Sequence, residues 1–292
     1  MCQVLCFSGR YTQTILYSIV PNYYKGGVDM NIGVSTACFY PMETEKALSA
    51  LAENGIKTVE IFFNADCELQ GSIYSEIKSI VRDNAITVLS VHPYTSAVET
   101  MTLFGDYPRR ITEIMDVYNR YFEIMNDLGA KVFVLHGALK SAHFLKLPDG
   151  EKLYLERYSM LFELGKKHGI TVAQENVSYC KSGDPEFLRT MKKQLGSECA
   201  FVLDVKQALR SSLDMFEIMD IMGDRLTHCH LSDNIPDHDC VPVGKGRLDF
   251  GRFAGELKKR NYSGGIILEL YSSGFTDMSQ LKESVDFMKG YF

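Results

Sequence analysis

Residues 153–175 read LYLERYSMLFELGKKHGITVAQE, and this stretch decides the fold. The first part is an amphipathic helical pattern that stops at Gly169, with Lys166, Lys167 and His168 just before it. A glycine after the last turn, preceded by basic residues, ends a helix well, because the left-handed cap costs glycine nothing and the cations meet the negative helix end. The second part, ITVAQ (170–174), is too short for a helix and apolar enough for a strand buried on both faces of a parallel sheet. An ionisable residue, Glu175, follows it directly.

The same grammar repeats outward in both directions. Further strand candidates are NIGVS (31–35), TVEIF (58–62), TVLSV (87–91), KVFVL (131–135), AFVLD (200–204), LTHCH (226–230) and GIILE (265–269). Helical patterns lie between them, among them TEKALSALAENG (44–55) and YPRRITEIMDVYNRYFEIMNDLGA (107–130). Eight strand-then-helix units from Met30 onward take about 33 residues each, the usual allowance for a βαβ repeat. Strict alternation implies a parallel sheet, and eight units favour closure into a single-domain (β/α)8 TIM barrel over residues 30–292. No G-x-G-x-x-G follows the first strand, which argues against a dinucleotide-binding sheet.

Residues 1–29 lack helical periodicity and read as an N-terminal extension. Met30 is a second plausible start, and Lys25-Gly26-Gly27 can be encoded by a purine-rich stretch resembling a bacterial ribosome-binding site. Both readings, a native extension and a misassigned start, stand at this level. Arg10 is the one charge in the first 21 residues, and Gln3, Ser8, Thr12 and Gln13 interrupt any apolar region, so no signal peptide is expected. The eight cysteines are scattered without a C-x-x-C, which fits reduced thiols in a cytoplasmic protein. No apolar run reaches the roughly 18 residues of a membrane span. With 46% apolar and 23% charged residues and a net charge of −6, the chain is globular and shows no global basic excess for nucleic acid.

In such a barrel the active site lies at the C-terminal strand ends. Glu60 lies within TVEIF, His92 follows TVLSV, His136 follows KVFVL, and Glu175 follows ITVAQ; Asp204, His230 and Glu269 close their own strands. Singly, each has a dull explanation as a cap or a satisfied histidine. Seven of eight strands delivering such a residue to one rim would concentrate charge at high cost unless a cation joined them. Glu175, Asp204, His230 and Glu269 form a hard, oxygen-rich set suited to Mn2+ first, and to Mg2+, Co2+ or Fe2+, with Zn2+ tolerated. His92 and His136 either hold a second metal near Glu175 or hydrogen-bond substrate hydroxyls. Lys245 and Arg247, in GKGRL, are candidates for a phosphate or acid group of the substrate, and Lys206 is a similar candidate beside Asp204. His228, two residues before His230, is expected to turn away from the ligand face and to be structural.

At these residues the sequence resembles the xylose isomerase-like TIM-barrel superfamily, which includes D-tagatose 3-epimerase, myo-inosose dehydratase and AP endonuclease family 2. The resemblance runs from Met30 to the C-terminus. It rests on VEIF, VHPYTS, VLHGAL, AQENVS, FVLDVKQAL, HCHLSD, PVGKGRLDF and IILELY, in that order. It implies that Glu175, Asp204, His230 and Glu269 hold one divalent metal. It implies too that Glu175 and Glu269 are catalytic, exchanging protons with a sugar next to a polarised carbonyl. Glu60, Gln207 and His238 join Lys245 and Arg247 as candidate substrate contacts. The position of Gln207 carries in the epimerases a histidine that commonly touches substrate. In the endonuclease branch it is a zinc ligand, with further ligands near His238 and Cys240. Glutamine is a poor zinc ligand, so the third zinc set is broken.

The function expected is a metal-dependent sugar or sugar-phosphate isomerase or epimerase. Alternatives are an AP endonuclease-like phosphodiesterase, an inosose dehydratase-like lyase, and a non-catalytic barrel. The expected partner is a small sugar or sugar phosphate, with neither nucleic acid nor membrane; a homo-oligomer is compatible with the reading.

Overall fold

The computed structural model describes residues 30–292, so the expectation for residues 1–29 lies outside the described residues. Eight parallel strands close into a barrel: β1 (Ile32–Ser35), β2 (Thr58–Phe62), β3 (Thr87–His92), β4 (Val132–Leu135), β5 (Thr171–Glu175), β6 (Phe201–Asp204), β7 (Leu226–Leu231) and, after a hairpin, β10 (Gly265–Leu268). Closure is made by β1 against β10, with Ile32 beside Ile266 and Val34 beside Leu268. The strands fall within a residue of the sequence expectation at each end. Their backbones leave no free edge, and the apolar runs are buried on both faces.

Helices cover the outside: α1 (Thr44–Glu53), α2 (Gly71–Asp83), α3 (Pro108–Leu128), α4 (Gly150–Lys167), α5 (Pro185–Leu195), α6 (Val205–Arg210), α7 (Met215–Met222), α8 (Phe250–Lys259) and α9 (Met278–Lys289). Their ends are written locally. Pro108 and Pro185 open α3 and α5, where a missing N–H costs nothing. Asp184 and Asp249 cap α5 and α8 by accepting from Glu186 N at 3.0 Å and Arg252 N at 2.8 Å. Gly129 ends α3 at φ +79°, a conformation that a side chain would strain. No described helix is long and apolar enough to cross a membrane.

The sequence did not foretell a small antiparallel hairpin, β8 (Asp233–Ile235) and β9 (His238–Val241), between β7 and α8. Asp233, just past β7, is buried and accepts from the backbone N–H groups of Gly246 at 2.7 Å, Leu248 at 3.0 Å and Gly244 at 3.2 Å. One carboxylate thus pins the GKGRL loop. A Cβ on Gly246 would lie 2.3 Å from Asn234 O and 2.4 Å from an Asp233 oxygen, so the loop can close only over glycine.

Strand register sorts the inward residues into layers. Paired residues of parallel strands share a face, as do residues i and i+2. Ser35 pairs with Glu60 and Glu60 with Ser90; Asp204 pairs with His230, and Val202 with His228. Glu60, Ser90 and His228 all point into the barrel and meet there, Ser90 Oγ lying 2.8 Å from Glu60 Oε2 and 3.0 Å from His228 Nε2, beside the residues His92, Glu175, Asp204 and His230 of the rim.

Candidate active site

The rim brings together the four residues singled out as metal ligands. Glu175 ends β5, Asp204 ends β6, His230 lies near the end of β7, and Glu269 directly follows β10. Their ligand atoms all lie within 4.8 Å of one another. His230 Nδ1 is 3.2 Å from Glu269 Oε2 and 3.7 Å from Glu175 Oε1. Asp204 Oδ1 caps α6 by accepting from Gln207 N at 2.9 Å, which leaves Oδ2 to face the group. Asp204 Oδ2, Glu175 Oε2 and His230 Nδ1 are buried without a hydrogen-bond partner among the described residues. Glu175 Oε2 turns toward His136 and leaves Oε1 on the His230 side; Asp204 Oδ2 and His230 Nδ1, aimed at one place from two strands, are costly alone and natural ligands for a divalent cation. The residues present fit such an ion.

Charge explains how the protein tolerates this cluster. Burial works against the imidazolium of His230, but Glu60 and Glu269 outweigh it and hold its pKa well above the ordinary value. Burial likewise opposes ionisation of Glu269, yet Lys206 and His230 bring it down to about 2. Burial also opposes ionisation of Glu175, and His136 and its other histidine neighbours overcome it. Asp204 differs: burial pushes it up to about 7 despite Lys206. A protonated His230 and the Lys206 ammonium thus stand against the carboxylates, and a divalent cation would take over the work of the His230 proton.

Beneath the candidate metal ligands, Glu60 is fully buried. It accepts from Ser35 Oγ at 3.1 Å, Ser90 Oγ at 2.8 Å and His230 Nε2 at 3.0 Å. Its pKa is held well below the usual carboxylate value, burial notwithstanding, by His230 and His228. This place corrects the expectation of a substrate contact: Glu60 sits behind His230, where a carboxylate fixes the tautomer and aims Nδ1 upward. His228 corrects a second expectation. Residues two apart on a strand share a face, so His228 points inward like His230. Its Nε2 lies 3.0 Å from Ser90 Oγ and 3.6 Å from Glu60 Oε2, and burial lowers its pKa.

His92 and His136 meet at the opposite side of Glu175. Their Nε2 atoms are 2.8 Å apart, and His136 Nε2 is 3.1 Å from Glu175 Oε2. Phe62 stacks on His92, with ring centroids 4.4 Å apart. With Glu175 this pair makes a second group of metal-ligand type.

The remaining candidates lie elsewhere. Gln207 turns to Ser178, accepting at Oε1 from its N–H at 3.1 Å and its hydroxyl at 2.8 Å. It braces the loop after β5 instead of facing the candidate metal ligands. Lys245 is exposed and pairs with Glu283 on α9 at 3.1 Å, away from the rim. Arg247 is exposed and donates through Nε to Asn234 Oδ1 at 2.8 Å. His238 is exposed on β9, beside Arg247 and Arg210 in a cleft of about 370 Å³. Two residues that sequence reasoning left out or left open are at the site. Lys206 is 4% exposed, its ammonium 3.5 Å from Glu269 Oε2 and 3.6 Å from Asp204 Oδ2. Glu99 is buried, and its Oε2 accepts from the N–H of Gly137, next to His136, at 2.5 Å. The x-Lys step after a strand-end Asp was a signal for the first; nothing marked Glu99.

Solved structures share this architecture. A D-tagatose 3-epimerase-like protein superposes with a TM-score of 0.74 at 18% identity, covering 90% of this chain and 97% of its own. The 3-keto-D-glucoside 4-epimerase YcjR of E. coli gives 0.71 at 17% identity, over 89% of this chain and 99% of its own. At these identities the likeness shows the fold. Among sequences, the uncharacterized protein ML2432 of Mycobacterium leprae is 22% identical over 90% of this chain and 98% of its own. The family model for the xylose isomerase-like TIM barrel matches residues 48–291, from within α1 to past the end of α9. A match over that span leaves no room for another lineage: the chain belongs to the xylose isomerase-like TIM barrel family.

Proposed function

We propose that the protein is a divalent-metal-dependent isomerase or epimerase of a sugar, moving a proton at the carbon next to a carbonyl. The observation that carries this reading is the convergence of Glu175, Asp204, His230 and Glu269, with Asp204 Oδ2 and His230 Nδ1 buried there without a hydrogen-bond partner among the described residues. The structural neighbours include a sugar epimerase and a sugar epimerase-like protein, which supports the same class. Glu175, Asp204, His230 and Glu269 would hold the ion, which supplies Lewis-acid polarisation of the substrate carbonyl and so acidifies the adjacent C–H. Glu175 and Glu269 arrive from β5 and from the end of β10, with His230 between them. One carboxylate takes the proton and the other, entering the cycle protonated, returns one to the opposite face. Asp204, tied to the α6 N-terminus, acts as ligand alone. Glu60 keeps Nδ1 of His230 aimed at the ion. Because His92 and His136 already satisfy each other, they read as a substrate-facing hydrogen-bonding pair, and we assign one ion per chain.

The endonuclease reading loses support because Gln207 is committed to Ser178 and His238 joins no metal-ligand group among the described residues. Lys245 pairs with Glu283, Arg247 bonds Asn234 and Arg210 pairs with Asp239, which favours an unphosphorylated sugar. The test is hydrogen exchange in D2O, followed by NMR, with the Mn2+-loaded protein and a panel of D-fructose, D-tagatose and D-psicose. Deuterium should enter at the carbon next to the carbonyl, and Glu175→Gln or Glu269→Gln should slow it by about 10²–10⁴-fold. Full exchange in both variants at saturating metal would refute the two-carboxylate mechanism.

A further inference from the structure

Lys206 is the second residue of α6, two positions after the ligand Asp204, and the fold turns it inward. An ammonium buried this deeply is expensive unless its three donors are used. Among the described residues it makes one hydrogen bond, a long one of 3.5 Å to Glu269 Oε2. Asp204 Oδ2, at 3.6 Å, attracts the charge without accepting a bond, and the Tyr271 ring lies 4.9 Å away. The ammonium is therefore held in place by charge and by an aromatic face while two of its N–H directions lack an acceptor. Glu269 Oε2 also faces His230 Nδ1 at 3.2 Å, so Lys206 stands next to the place where the ligand atoms meet. Charge adds a second argument. In the reacting state, with one glutamate protonated, two carboxylates, one divalent ion and one ammonium sum to +1, so negative charge developing on a substrate is attracted; with a neutral residue at 206 the same centre would carry no net charge.

We propose that Lys206 is a catalytic residue, donating a hydrogen bond to the substrate oxygen that becomes negative when the C–H proton leaves. This rests on the proton-transfer reading above. In the step, the carboxylate of one glutamate takes the proton, the C–H pair becomes the C=C bond, and the carbonyl π pair moves to oxygen, where Lys206 donates without giving up its proton. Return of a proton to carbon from the other glutamate restores the carbonyl. No oxidant or reductant is needed.

Two readouts test it, one of them independent of turnover. The first is calorimetric titration of Mn2+ into the metal-free full chain, and then of glycolohydroxamate, a planar enediolate-like anion, into the Mn2+-loaded protein. For Lys206→Met, Mn2+ affinity should stay within about threefold or tighten, because a cation beside the carboxylates is gone, while glycolohydroxamate binding should weaken at least about tenfold. Lys206→Gln keeps an N–H donor without the charge and should fall between; it carries the test if the Met variant does not melt cooperatively. The second readout is the exchange assay, where Lys206→Met should lower kcat by about 10²–10³-fold with KM changed only a few fold. Unaltered probe binding in both variants, no probe binding by the wild type, or loss of Mn2+ affinity in step with probe affinity would each overturn the proposal. A wild type that exchanges no hydrogen on any ketohexose yet shows the tenfold probe contrast would overturn the sugar reading and support Lys206 as the oxyanion partner.

Discussion

Replacing Glu60 with glutamine separates the role its position gives it from the substrate contact expected of it. The side chain keeps its size and one strong acceptor, so Ser35, Ser90 and His230 need not all lose their partner. The new NH2 can donate to a serine hydroxyl. What disappears is the negative charge that holds His230 Nε2–H and raises the basicity of Nδ1. Outer partners of this kind are worth about 10–100-fold in metal affinity, or about 1.4–2.7 kcal/mol. Alanine is the wrong variant. It would strand three buried donors at about 1–3 kcal/mol each, close to the whole stability of a domain. The assay is Mn2+ titration by calorimetry, with kcat measured across metal concentration. For Glu60→Gln the Mn2+ Kd should rise by one to two orders of magnitude, and kcat should recover at saturating metal. Unchanged Mn2+ affinity with an unrecoverable loss of kcat or a raised substrate KM would refute the reasoning and restore Glu60 as a substrate contact.

Four further outcomes are expected. Asp204→Asn should act through the metal, so excess Mn2+ should restore part of its activity; a deficit insensitive to metal would place Asp204 in proton transfer. Metal analysis should find one ion per chain, whereas two ions, falling to one in His136→Ala, would assign the His92–His136 pair to a second centre. Glu99, which burial pushes up to about 8 from 4.5, gives a stability contribution present below pH 4.5 and lost as pH rises through 8, at up to about 1.4 kcal/mol per pH unit; the metal-free Glu99→Gln variant should therefore gain stability relative to wild type between pH 5 and pH 8 in urea titrations, and a pH-independent difference would contradict the burial argument. Lys245→Ala should leave kcat and KM within about twofold, because its partner is the exposed Glu283.

The barrel was legible because its signal is repeated. Eight short apolar runs, each entered after a glycine or polar stop, leave little freedom in register or order. The four candidate ligands were legible for a related reason: Glu175, Asp204, His230 and Glu269 stand at or beside the end of a strand, so chain position alone gives their height on the barrel. Glu60 stands two residues short of the end of β2, and that offset sinks it one layer. Periodicity gives the face of a side chain, and height must be read separately. His228 shows the cost of miscounting that period. Lys245, Gln207 and Lys206 lie in loops or a helix start, where direction is set by Asp233, Ser178 and the carboxylates they meet across the fold. Apart from Asp204, two residues before Lys206, none of those partners is near in sequence.

The way the barrel closes bears on how the protein is made. All four candidate ligands lie from β5 onward, the last at residue 269, while the carboxylate that orients His230 comes from β2, and β1 completes its pairing only with β10. A chain emerging from the ribosome passes through a long interval in which Glu60 and Glu175 exist but have no common centre to serve. On the metal-dependent reading proposed above, ion selection would belong to the finished barrel instead of the nascent chain: folded, unloaded protein would be the species that competes for metal, and the abundance of ions at that moment would decide which one it receives.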